Sequence, residues 1–257
     1  MIQGMGGVMS VTGEPDGAPM KTGVAIADVM CGMYASTAIL AALRHRDVSG
    51  EGQYVDMSLL DTQVAWLINQ GLDFVTTGQP PRRHGNAHPN IVPYQAFQAS
   101  DGHIILAVGN DDQFRRFCVF AGLDDLAGDA RFATNNARVA HREALVEHIK
   151  GAIATHSVAH WLQGLEAIGV PCGPVNDLAQ VFDDPQVQHR GMLLELPHAP
   201  DPRVMARQIA SPIKLSQTPV SYRRSAPGLG QHTAEVLRDV LGVDEARIDR
   251  LRKEGVI

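Results

Sequence analysis

The chain has 257 residues, 44% hydrophobic and 19% charged, which is enough for one large domain or two modest ones around a real core. Twenty-two Lys and Arg against 28 Asp and Glu give a formal net charge of −6, and with it no electrostatic footprint for nucleic acid. Three widely spaced cysteines, Cys31, Cys118 and Cys172, exclude a disulfide framework and read as reduced thiols of a cytoplasmic protein.

The first residues, Met1 to Gly7, have neither a basic n-region nor an apolar h-region, so no secretory signal is expected. A turn-rich piece, Thr12-Gly13-Glu14-Pro15-Asp16-Gly17, leads to the run Gly23 to Tyr34. Asp28 is the only charged residue between Lys21 and Arg44. The stretch behind it, Val29 to Leu43, has no polar face and predicts a helix buried on all sides. The same window is too short for a membrane span. Tyr54 to Leu59 alternates in polarity and predicts a strand, followed by a helix from about Leu60 to Thr77.

Residues 78–93 carry four prolines and few aliphatics and read as a linker or functional loop. Tyr94–Gln98 and His103–Val108 flank Ser100-Asp101-Gly102, a hairpin signal. Helices are predicted at about Asp112–Ala121, Arg138–Thr155 and Val158–Ile168, the second from the spacing of Leu145, Ile149 and Ile153. Gly169 to Val175 is extended and turn-rich. Short helices follow at Leu178–Phe182 and Pro185–His189, then strands near Met192–Leu196 and Ile209–Leu215, then helices at Thr233–Leu241 and Asp244–Lys253. The mixture predicts an α/β chain with an α+β middle.

Asp28 has two readings from its surroundings. It is a helix N-cap, or a poorly hydrated carboxylate nucleophile held by the helix N-terminus. Gly4-Met5-Gly6-Gly7 lacks the spacing of a dinucleotide fingerprint and the ending of a P-loop. His84 and His88 stand four apart, but Gly85 and the nearby prolines argue against a helical zinc site, as the missing third ligand does for His156 and His160. A second reading of residues 84–88 is a small-residue loop whose N–H groups approach a carboxylate or thioester. Cys31 reads as helix packing. No Gly-x-Ser-x-Gly elbow occurs.

Several stretches follow one another in a familiar order: Gln3 to Gly13, Gly23 to Gly32 with Asp28, and Gly50-Glu51-Gly52-Gln53-Tyr54-Val55-Asp56-Met57-Ser58. After them come Ile91 to Phe97, Asn135 to Arg142, Gly169 to Val175, and Leu229-Gly230-Gln231-His232-Thr233. In this order they resemble the class III CoA-transferases, a family that includes acyl-CoA racemases, over almost the whole chain. The resemblance implies that Asp28 is a nucleophile that takes CoA from an acyl-CoA through a mixed anhydride and an aspartyl-CoA thioester. It places His84, Gly85, Asn86 and His88 in the substrate-binding loop. His-Gly-Asn-Ala-His-Pro-Asn at 84–90 departs from the glycine run of oxalate-using members. Ile91 to Phe97, with Gly109-Asn110 and Gln113-Phe114, is more similar to succinyl-CoA:glutarate transferases, so a dicarboxylic or short organic acid is the expected acceptor.

The resemblance further implies a class III CoA-transferase fold: a partial Rossmann-like large domain at 1–80 and 196–257, a linker at 81–90, and a small α+β domain at 91–195. Such folds are interlocked homodimers. CoA and acyl-CoA enter as substrates, with no permanently bound cofactor, no metal, no nucleic acid and no membrane. Family members carry a Rossmann-like region upstream of the aspartate, so the chain resembles the C-terminal portion of such an enzyme. Two alternatives stay open. One is an acyl-CoA racemase in which an Asp–His pair moves the α-proton. The other is a non-catalytic remnant, or a subunit acting with a separately encoded part, that would be poorly soluble by itself.

Overall fold

The computed structural model describes residues 1–198, 201 and 203–257. It divides into two units, Met1–Val175 and Asn176–Ile257.

The first unit begins with two single-turn helices, α1 (Ile2–Met5) and α2 (Val8–Val11), followed by α3 (Ile26–Ser49), α4 (Leu59–Ala65) and α5 (Ile68–Thr77). Gly6 lets α1 approach α4, because a Cβ there would stand 2.4 Å from Gln63 Cγ. The lone-acid segment is helical over 24 residues, longer than its apolar window, and Gly50 ends it with φ +79° and an N–H donated to Arg46 O.

The all-round burial expected of this helix is not found. Only Ala27 of α3 is buried, and Val29, Met33 and Leu40 are 50%, 59% and 68% exposed. Its principal neighbour, α4, covers one side. Among the described residues α3 is also the one helix long and apolar enough to cross a membrane, by length and composition, properties that the core helix of a globular protein shares.

Two further expectations fail here. Residues 51–58 form no strand. Tyr54 is exposed, and alternation of side chains makes no ladder without a neighbouring strand to exchange hydrogen bonds. The helix predicted over 60–77 is two, α4 and α5, parted at Trp66–Leu67, with Ile68 at φ +37°. Ser58 starts α4, its Oγ accepting from the N–H groups of Leu60 and Asp61.

The core lies between residues 92 and 170. The predicted hairpin is present as β1 (Tyr94–Gln98) and β2 (His103–Ala107), with Gln98 opposite His103. Helices α6 (Asp111–Phe120), α7 (Asp124–Ala127), α8 (Asn135–Ala140), α9 (Arg142–Ile153) and α10 (Val158–Ala167) follow. Within the extended Gly169–Val175 piece, β3 (Cys172–Pro174) pairs antiparallel with β2.

Phe97, Ile104 and Leu106 of the sheet meet Phe114 and Phe117 of α6, Leu145, Ile149 and Ile153 of α9, and Trp161 of α10. Each such side chain contributes about 1.5–3 kcal/mol by leaving water. The helix predicted at 138–155 divides at His141, whose φ of −114° and ψ of 29° separate α8 from α9. The break leaves both helices free to direct their first residues toward the segment before β1.

In the second unit, α11 (Leu178–Asp183) and α12 (Pro185–His189) precede a hairpin of β4 (Leu193–Pro197) and β5 (Met205–Ile209), then α13 (Thr233–Asp239) and α14 (Glu245–Lys253). The strand expected at Ile209–Leu215 lies earlier. It ends at Ile209 because Pro212 brings no N–H to a ladder. The chain is thus mixed helix and sheet, as its α/β pattern predicts, with antiparallel pairing throughout the described strands.

Candidate active site

Asp28 is the third residue of α3. Ala25 holds the N-cap position and makes no side-chain cap, so the capping role open to Asp28 is not the one it has. Its N–H donates to Ala25 O at 3.1 Å, and its carboxylate acts on the helix start through charge, near N–H groups left without intrahelical partners. The side chain is exposed, not the poorly hydrated group expected.

Asp28 lines a cleft of about 370 Å³ with Gln3, Lys21 and Gly23. Gln3 shapes the entry to the helix. Its Oε1 accepts from the N–H and hydroxyl of Thr22 at 2.9 and 3.2 Å, and its Nε2 donates to Val24 O at 3.3 Å.

The segment 84–88 is laid against the turn at 13–17. Arg83 donates to Glu14 O and Gly17 O, and Gly85 N–H to Gly13 O at 3.0 Å. Gly85 has φ +61°, and a Cβ there would come 3.0 Å from Glu14 Oε2. Asn86 Oδ1 accepts from Ala96 N–H at 2.9 Å. His88 donates its N–H to Tyr94 O, stacks on the Tyr94 ring at 5.3 Å, and accepts from Asn90 N–H through Nδ1.

His84, Gly85 and Asn86 line a cleft of about 590 Å³ with Glu14, Arg142 and Lys150. Burial, and then the nearby Arg142 charge, hold the His84 imidazole below its ordinary pKa of 6.5. The neutral ring has one donor and one acceptor to offer a ligand.

The structure therefore brings His84, Gly85 and Asn86 together and seats His88 on Tyr94. Among the described residues the His84 cleft and the Asp28 cleft share no lining residue. Glu14, Gln3 and the cleft position of Arg142 are not readable from local sequence, since each acts over long separations. Asn110 and Gln113 secure the start of α6: Asn110 Oδ1 accepts from Gln113 N–H, and Gln113 Oε1 from Gly109 N–H. Cys31 is half-buried. Among the described residues no group of three or more His, Cys, Asp or Glu is arranged to hold a metal ion.

The model of CoA-transferase family III matches residues 1–233. The succinate–glutarate CoA-transferase of Agrobacterium fabrum is 49% identical over 240 residues, 93% of this chain and 60% of that protein. The succinyl-CoA:glutarate CoA-transferase of Mus musculus is 38% identical over 254 residues, 98% of this chain and 58% of that protein. A crystal structure of a CaiB/BaiF family protein from Brucella suis has a TM-score of 0.80 at 42% identity, covering 93% of this chain and 61% of its own. The chain spans about 60% of the length of the curated relatives it matches.

Proposed function

The chain belongs to CoA-transferase family III, and from this membership we propose that it moves CoA between an acyl-CoA and a small dicarboxylic acid through a covalent intermediate on Asp28. The observation that carries the proposal is an exposed carboxylate in the first turn of a 24-residue apolar helix, opening on a cleft. The helix N-terminus sets its orphan N–H groups and the positive end of its dipole beside that carboxylate.

An Asp28 oxygen attacks the thioester carbonyl of the donor, breaking the C–S bond, expelling CoA thiolate and leaving a mixed anhydride. The thiolate attacks the Asp28 carbonyl and releases the donor acid as its carboxylate, which leaves aspartyl-CoA. The acceptor carboxylate attacks that thioester, and the thiolate leaves once more. It then attacks the acceptor's acyl carbon, giving the new acyl-CoA and regenerating the Asp28 carboxylate. No proton is gained or lost over the cycle. Each tetrahedral oxyanion calls for N–H donors placed beforehand.

The dicarboxylic preference is supported by the names of the relatives from Agrobacterium fabrum and Mus musculus, and the polar 84–86 loop with a neutral His84 suits a carboxylate. Three free cysteines accord with a cytoplasmic enzyme, and the uncovered apolar side of α3 with a homodimer.

The test is chemical trapping. The full chain incubated with succinyl-CoA and then hydroxylamine is expected to carry a hydroxamate at Asp28, located by peptide mass spectrometry. An active chain whose Asp28 stays unmodified overturns the proposal.

A further inference from the structure

Three side chains spaced three and four residues apart reach one stretch of main chain. Asn135 donates through Nδ2 to Asn90 O at 2.9 Å and accepts through Oδ1 from Val92 N–H at 3.2 Å. Arg138 donates through Nε to Val92 O at 2.7 Å. Arg142 donates through Nη1 to His88 O at 2.9 Å and through Nη2 to Pro89 O at 2.6 Å. Five main-chain groups of residues 88–92 are thereby satisfied by α8 and the first residue of α9.

Arg142 is half-buried and, among the described residues, forms no ion pair with a carboxylate. A guanidinium offers several donors in a fixed plane and spans two successive carbonyls, which one ammonium point charge does not do equally well. The helix that carries it is anchored, since Leu145 and Ile149 of α9 lie in the core. The same residue faces the cleft lined by His84, Gly85 and Asn86.

We propose that Arg142 is a positioning residue for the acid substrate: with Asn135 and Arg138 it holds residues 88–92 in one conformation, and through that anchor it sets where His84, Gly85 and Asn86 meet the acid. This rests on the reading of the loop as the acid-binding part of a CoA-transferase, whereas the clamp itself is independent of the reaction. The depressed basicity of His84 is consistent with the nearby guanidinium, although burial is the larger cause. Glu14, Glu143, Glu147 and Lys150 also line that cleft, and Lys150 is paired with Glu147.

The experiment compares Arg142→Gln and Arg142→Lys with the unaltered full chain. Hydrogen exchange read by mass spectrometry is expected to be about tenfold or more faster in peptides covering 84–92 in both variants, and unchanged in β1, β2 and α10. Followed by NMR, the His84 imidazole is expected to titrate closer to 6.5 in Arg142→Gln and to stay depressed in Arg142→Lys. KM for the acid acceptor is expected to rise about tenfold or more in both, with KM for the acyl-CoA donor unchanged. Unchanged exchange at 84–92, faster exchange throughout the unit, or an unchanged acid KM each overturns the positioning role. If exchange and titration respond as expected while the unaltered chain transfers no CoA, the clamp stands and the CoA-transfer reading fails.

Discussion

Arg138 Nε donates to the carbonyl oxygen of Val92 across 2.7 Å, joining a fully buried guanidinium to the residue that leads into β1. The same side chain donates to Phe132 O at 3.0 Å and Asp111 Oδ1 at 2.8 Å, with the Phe114 ring 4.5 Å from its centre. Replacing it by Met leaves buried acceptors without donors, and the expected loss is about 3–5 kcal/mol of stability. Urea denaturation of Arg138→Met against the unaltered chain measures it, and a loss below about 1 kcal/mol contradicts the assignment.

Asp28→Asn keeps shape and removes the anion. The turnover number is expected to fall by about a thousandfold or more. Since the side chain is exposed and uncapped, stability is expected to drop by no more than about 1 kcal/mol, the scale of a charge at a helix end. Steady-state kinetics and denaturation on one preparation separate the two effects. An Asn variant with near-normal turnover removes Asp28 from the reaction.

His84 gives a pH dependence with a definite sign. Its folded-state pKa lies below 6.5, so between that lowered value and 6.5 the unfolded chain binds more protons than the folded one. Stability is therefore expected to fall as pH drops through this window and to level off below the folded pKa. His84→Gln is expected to remove this component from a plot of denaturation midpoint against pH. A His84 resonance titrating at or above 6.5 contradicts it.

Cys118 is fully buried, and burial pushes its thiol up to about 12. Burial, followed by Glu166, also raises Cys172. Thiolate is the reactive form, so iodoacetamide at pH 8 is expected to leave Cys118 unmodified in the folded chain. Half-buried Cys31 is expected to be alkylated first. Mass spectrometry of timed samples gives the order, and early labelling of Cys118 contradicts the core described for α6.

The sequence is most legible where local patterns and their partners lie close together. The β1–β2 hairpin follows from two short runs flanking Ser100-Asp101-Gly102, and α9 from Leu145, Ile149 and Ile153. Tyr54–Ser58 alternates in polarity without a strand beside it and stays unpaired. The later hairpin shifts ahead of Pro212, and helix 60–77 breaks before Ile68. Asp28 stands out because it is a lone acid in an apolar run, yet its exposure depends on what packs over α3, which no local pattern encodes. Arg142 and Gln3 carry no local signal of their roles, because their partners are main-chain groups 54 and 21 residues away.

The ties from Asn135, Arg138 and Arg142 also decide when the loop loses its conformational freedom. Fixing the main chain of a residue costs about 1–2 kcal/mol in entropy, so five residues represent on the order of 5–10 kcal/mol. With His88 to Val92 bonded to helices rooted in the core, that entropy is surrendered as the chain folds. It is not subtracted again on binding of the small acid proposed as substrate, a ligand with few atoms from which to recover it.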